Sequence, residues 1–112
     1  MNTYNPDKWV VVEIKSLDKS IFKVLGSWYG GYAGGDSWRM SSSITSVAKT
    51  ETGYEFYNTT GSVYYCHDKA YGMSGYTAGI YASYEKLNND KISISILDQE
   101  DVKTIPYRQS LI

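Results

Sequence analysis

The chain holds one cysteine and one histidine among its 112 residues. A lone cysteine forms no internal disulfide, so nothing in the sequence argues for an oxidising compartment. Without paired Cys or His spacings, the usual zinc sites are excluded. A single histidine, His67, also excludes two-histidine phosphodiesterase chemistry. No apolar run approaches the length that spans a bilayer, and no basic segment leads into an apolar one near the first residue. A soluble cytoplasmic protein is expected, with no membrane contact. Arginine is scarce too: Arg39 and Arg108 are the only two among eleven basic residues, and the formal net charge is −1. Duplex nucleic-acid binders carry a basic face because counterion release drives their affinity. Duplex nucleic acid is therefore excluded as a partner, whereas a small anion needing one or two cationic contacts is compatible.

What the chain has in excess is tyrosine, twelve against two phenylalanines. Tyrosine offers rigid contact area with a polar tip, which binding surfaces favour; it is also a good strand former. Residues Gly26 to Ser43 concentrate this chemistry, with five glycines and four aromatics among eighteen residues. Trp28, Tyr29, Tyr32 and Trp38 are interleaved with residues that have almost no side chain, and Arg39, Ser41, Ser42 and Ser43 follow. So many glycines weaken a core strand, and disordered linkers do not carry two tryptophans. An ordered, aromatic-walled loop fits better. Flat rings, bare backbone N–H groups, one arginine and several hydroxyls suit a phosphate-bearing nucleotide. The competing reading is a glycine-rich hairpin with surface tyrosines.

Alternation and turn residues divide the rest of the chain. Strands are predicted at Trp9–Lys15, Ser20–Tyr29, Ser37–Ser41, Ser43–Thr50, Tyr54–Asn58, Ser62–His67 and Ile92–Ile96. The arms either side of the glycine loop form a hairpin with its tip at Gly30 to Asp36. From Met73 the period changes: Tyr76, Ile80, Tyr84 and Leu87 share one helical face, with Ser74 as N-cap and Asn88-Asn89-Asp90 as a stop. Asp98 to Lys103 reads as a charged turn and Thr104 to Ile112 as a tail. The fold class is α+β: one domain over residues 1–112, an antiparallel β-sheet meander with one packed α-helix and a final strand.

Cys66-His67-Asp68 has the residue types of a nucleophile, base and orienter. Consecutive strand residues point to opposite faces, so these three do not form a triad. The glycine loop lacks the lysine and strand-to-helix context of phosphate-binding loops. No catalytic residue, metal site or cofactor is expected. A second stretch, Tyr71 to Tyr76, again joins aromatics, glycine and hydroxyls at a helix start. There Ser74 and Thr77 suit an anion, with Tyr71 and Tyr76 beside them; equally, the stretch reads as an ordinary capped helix with core tyrosines.

The order Gly-Ser-Trp-Tyr-Gly-Gly-Tyr, Gly-Asp-Ser-Trp-Arg-Met-Ser-Ser-Ser-Ile, Gly-Ser-Val-Tyr-Tyr-Cys-His and Tyr-Gly-Met-Ser-Gly-Tyr spans over half the chain. It resembles small proteins of tailed bacteriophages. It is similar to the phage sponges that sequester cyclic nucleotide signals of bacterial antiphage defence, in particular the anti-CBASS 4 family. The resemblance implies a non-enzymatic homotetramer in the host cytoplasm that encloses cyclic dinucleotides such as 3′3′-cGAMP between subunits. On chemistry, Trp28, Tyr29, Tyr32 and Trp38 would stack bases and Arg39 would meet phosphate. Ser41, Ser42, Ser74 and Thr77 would donate hydrogen bonds, with Tyr71 and Tyr76 completing the set. One conflict is already visible, since Trp38 and Arg39 are strand neighbours and face opposite ways unless a bulge or a second subunit intervenes. A protein-interaction module that inhibits a host protein is the alternative.

Overall fold

A computed structural model describes residues 2–29 and 37–104. Strands β1 (Thr3–Tyr4), β2 (Lys8–Ser16), β3 (Lys19–Trp28), β4 (Ser37–Met40), β5 (Ile44–Lys49), β6 (Gly53–Asn58) and β7 (Val63–His67) precede helix α1 (Gly75–Glu85) and strand β8 (Ile92–Ile96). The predicted strands and helix all form, and the α+β class holds. The hairpin tip at 30–36, with Tyr32, and the tail beyond 104 lie outside the described residues.

The strands divide between two four-stranded sheets, in orders β1-β7-β6-β5 and β4-β3-β2-β8. Each contains a meander of three consecutive strands. To these are added β1, parallel to β7, and β8, antiparallel to β2. The chain passes from one sheet to the other at Ser41–Ser43. Ser41 N–H still donates to Val24 O at 2.8 Å, while Ser43 O already accepts from Thr59 N–H at 2.9 Å. At this corner the Ser41 hydroxyl accepts from Val24 N–H at 2.8 Å. The corner therefore leaves no orphaned β3 donor where the ladder ends.

Strand β2 explains the layering. Trp9, Val10, Val11 and Val12 are consecutive and all at most 3 % exposed, which requires cover on both faces of the strand. Between the sheets, Trp9, Val11, Phe22, Val24, Ile44, Phe56, Tyr64 and Cys66 form one core. On the other face, Val10, Val12, Leu25 and Ile94 pack with Tyr81 and Tyr84 of the helix. The Trp9 indole anchors the first core, donating to His67 O at 2.7 Å with Tyr71 edge-on at 4.6 Å. Its burial alone contributes on the order of 5 kcal/mol.

Helix α1 starts where expected: Ser74 caps it by accepting from Thr77 N–H at 3.2 Å. Its buried face agrees with the predicted one at Tyr84, which packs inward, but Tyr76 and Leu87 are exposed and Thr77 and Tyr81 turn inward in their place. The stripe is shifted because the cap draws Thr77 under the first turn and the Tyr81 hydroxyl donates to Ile94 O at 3.1 Å. The predicted charged turn is a 3-10 helix, Gln99–Thr104, which inserts fully buried Val102 into the inter-sheet core.

Candidate functional site

Along one side of the sandwich the two sheets part, between the β1–β7 edge and β4. The opening is a cleft of about 470 Å³. Tyr4 and Tyr64 come from β1 and β7, Arg39 from β4, Ser42 from the corner, and Thr60 and Ser62 from the β6–β7 turn.

Register decides what enters this cleft. Arg39 lies across from Gly26, and its neighbours Trp38 and Met40 join the helix-side cluster. Strand alternation thus turns Arg39 toward the first sheet. Gly26 is needed there because Pro6 lies against it: a Cβ on Gly26 would stand 2.9 Å from Pro6 Cβ. The segment Asn5-Pro6-Asp7 is thereby laid along β3, with Asp7 N–H donating to Ser27 O and Asn5 O accepting from the Trp28 indole at 2.9 Å. That path brings Tyr4 to Tyr64.

The aromatic geometry is a short column. Tyr4 stacks on Tyr64 with ring centres 4.8 Å apart, Trp28 meets Tyr4 edge-on at 6.3 Å, and the Arg39 guanidinium carbon lies 4.7 Å from the Tyr4 ring centre. No described carboxylate forms an ion pair with Arg39; the described ion pairs join Asp68 to Lys49 and His67. Burial pushes the Tyr64 phenol up to about 12, and the Arg39 charge and hydrogen bond offset part of that rise.

Beside the column runs a chain of hydroxyls. Ser42 Oγ is 3.0 Å from Thr60 Oγ1, which is 3.4 Å from Ser62 Oγ. Asn58 Nδ2 donates to Ser62 Oγ at 3.2 Å and to Ser62 O at 3.0 Å, holding the turn. Ser41 is buried and committed, accepting from Val24 N–H and donating to Ser42 O at 2.6 Å. It supports the corner and has no proton left for a ligand.

The structure gathers Arg39, Ser41 and Ser42 at one cleft, with Trp28 behind Tyr4. Trp38 lies on the opposite face of its strand, edge-on to Tyr84 at 6.4 Å. Tyr29 is exposed, its N–H donating to Asp7 Oδ2 at 2.8 Å. Tyr71 is a structural joint: its hydroxyl accepts from Val11 N–H at 3.2 Å and donates to Leu97 O at 2.6 Å. Ser74 and Thr77 are buried and bond to each other, and Tyr76 projects from the helix into solvent. Among the described residues, Tyr71, Ser74, Tyr76 and Thr77 of the second stretch are not in the lining of this cleft. Sequence reasoning missed Tyr4, Tyr64, Thr60 and Ser62. Only the alternation of Tyr64 and Cys66 along β7 signals that Tyr64 faces inward; nothing local signals that β1 would reach it.

Cys66 is buried in the inter-sheet core, and desolvation pushes its thiol well above the ordinary range. His67 is on the exposed side, its Nδ1 accepting from Lys69 N–H at 3.1 Å. Strand alternation thus separates the two. Among the described residues, no group of three or more His, Cys, Asp or Glu side chains is placed to hold a metal ion. No described helix is long and apolar enough to cross a membrane. Two further depressions, of about 330 and 540 Å³, contain carboxylates: Asp7 in one, and Asp68 and Glu100 with Lys69 and Lys103 in the other. Of these three openings, the Arg39 cleft is the one that sets a cation without a lining carboxylate beside serine and threonine hydroxyls and tyrosine rings. No protein-family model, curated protein or solved structure matches this chain.

Proposed function

We propose that this protein is a non-enzymatic phage sponge. In this reading it binds and sequesters a cyclic dinucleotide signal of the 3′3′-cGAMP kind in the host cytoplasm, as a homotetramer. The observation that carries the reading is Arg39, held over Tyr4 without a described carboxylate partner and next to the Ser42–Thr60–Ser62 hydroxyls. A planar guanidinium forms paired hydrogen bonds to phosphate, and its face not turned to Tyr4 is a stacking surface for a base. The hydroxyls suit ribose or phosphate oxygens. The cleft volume falls within the range of small-molecule sites, about 300 to 1,000 Å³. Because it opens beside the edge strands β1 and β4, a second copy would complete the enclosure.

Titration with a panel of cyclic di- and trinucleotides by calorimetry tests this, followed by heat release and chromatography of the bound material. A sponge competing with a receptor needs about nanomolar affinity, on the order of −12 kcal/mol, with the nucleotide recovered intact. Cleaved product would move the protein to the enzyme class. Absence of binding would leave the host-protein inhibitor, which the exposed Tyr57 and Tyr65 on the outer face of the first sheet favour.

A further inference from the structure

Beneath α1, a chamber of about 240 Å³ remains between the helix and the second sheet. Val12, Ile14, Met40 and Ile94 line it together with the rings of Tyr81 and Tyr84. The one charged residue in its lining is Lys23. The register sets Lys23 directly across from fully buried Val12, and two-residue alternation puts it on the same face as Leu25. Lys23 is therefore a half-buried residue set among apolar side chains. Among the described residues, neither a carboxylate nor a hydrogen-bond acceptor meets it; the described ion pairs all involve Asp68.

An ammonium has three donors and no acceptor, and one placed at an apolar cavity gains a charge-assisted hydrogen bond from an anion. The walls restrict what else that anion carries. The Tyr81 hydroxyl is already bound to Ile94 O, so Tyr81 presents its ring, and two tyrosine rings beside aliphatic groups favour a flat apolar body. The size sets a ceiling: a cavity of about 150 Å³ admits benzene, and this one has room for a ring and one small substituent. We propose that the chamber binds a small aromatic carboxylate, its ring against Tyr81 and Tyr84 and its carboxylate on Lys23 Nζ. This site is independent of the Arg39 cleft, with which it shares only Met40.

Benzoate titrated into the full chain, with the methyl resonances of Ile14, Met40 and Ile94 followed by NMR, tests the assignment. Saturable shifts at these methyls are expected, and benzamide, its neutral isostere, is expected to shift the same signals. Lys23→Gln should weaken benzoate about tenfold, the loss of one charge-assisted contact, and leave benzamide unchanged; benzamide binding also reports that the variant is folded. Ile14→Phe, at a half-exposed position, should fill the chamber and abolish both. No saturable shift with benzoate, equal effects of Lys23→Gln on both compounds, or undiminished benzoate binding by Ile14→Phe would overturn the proposal.

Discussion

The Arg39 guanidinium lies over the Tyr4 ring, 4.7 Å from its centre, although the two residues belong to edge strands of different sheets. The contact holds the cation at the mouth of the cleft and limits its rotamers, which would lower the entropic cost of the binding proposed above. Arg39→Ala is expected to weaken cyclic dinucleotide binding about ten- to a hundredfold. Arg39→Lys restores little of it, because a point charge lacks the planar fork. Stability should change by about 1 kcal/mol or less, the scale of an exposed cation–π contact. Calorimetric titration and urea unfolding of the same variants separate the two effects.

Tyr64 gives the fold a sensitivity to alkali. Its phenol is raised from 10.0 to about 12, chiefly by burial. In the unfolded chain the group ionises near pH 10, so above that pH deprotonation favours the unfolded state. The contribution is complete below pH 10 and is lost as pH rises through about 12. For Tyr64 the loss is about 3 kcal/mol. Burial also raises Tyr71 and Tyr81, which act in the same direction. Urea unfolding between pH 8 and pH 11.5 should show stability falling above pH 10. Tyr64→Phe should flatten that fall, and an unchanged slope would contradict the assignment.

Strand β8 is an edge whose outward polar groups are already covered. Ile94 N–H donates to Asn88 Oδ1 at 2.8 Å, Ile94 O accepts from Tyr81, and Ile92 N–H donates to Asn89 Oδ1 at 3.0 Å. An Ile-Ser-Ile-Ser-Ile edge without charge or proline would otherwise offer a template for another strand. Asn88→Ala combined with Tyr81→Phe removes both partners of Ile94 at a cost of about 1–3 kcal/mol for each. The double variant is expected to melt earlier and to scatter light on storage, while each single change does so less.

The strands and the helix are legible because turn residues bracket them and apolar positions alternate: Ile92, Ile94 and Ile96 need no tertiary information. The partition into two sheets is not, because local alternation says which residues form a strand and nothing about which strands pair. Tyr4 joins Tyr64 only through a parallel pairing of segments far apart in sequence, so that part of the cleft leaves no local mark. That Trp38 and Arg39 take opposite faces is legible from strand alternation, whereas which of them enters the cleft is not, since that depends on which face of β4 meets the first sheet. The serine run illustrates a second limit. Ser41 has the residue type of a ligand donor, yet the change of sheet takes its hydroxyl. Tyr71, Ser74 and Thr77 are committed to the fold in the same way.

Gly53 is placed where the first sheet tolerates no side chain. A Cβ there would overlap the carbonyl oxygen of Cys66 on the paired strand β7. The obstacle is backbone, so relief requires the β6–β7 ladder to open. Gly53→Ala is expected to cost about 3 kcal/mol or more, the scale of overpacking in a closed core. Gly75→Ala makes the control: a Cβ at that position meets nothing within 4 Å, and helix propensity favours alanine by up to about 1 kcal/mol. Thermal unfolding of the two variants should therefore move in opposite directions.

Cys66 combines the residue type of a nucleophile with the environment of a core side chain. It is 2 % exposed among aromatic and aliphatic neighbours, and burial holds its thiol in the protonated form. Thiolate is the reactive species, so both access and ionisation oppose attack. In native protein at pH 8, a disulfide reagent such as Ellman's is expected to label Cys66 only as fast as the core opens. In urea it should react at the rate of an ordinary free thiol. Cys66→Ala should leave cyclic dinucleotide binding intact and cost about 1–2 kcal/mol of stability, because it removes a small buried group rather than a working one. Rapid native labelling would mean that the inter-sheet core opens readily, and stability and ligand access would then have to be treated as coupled.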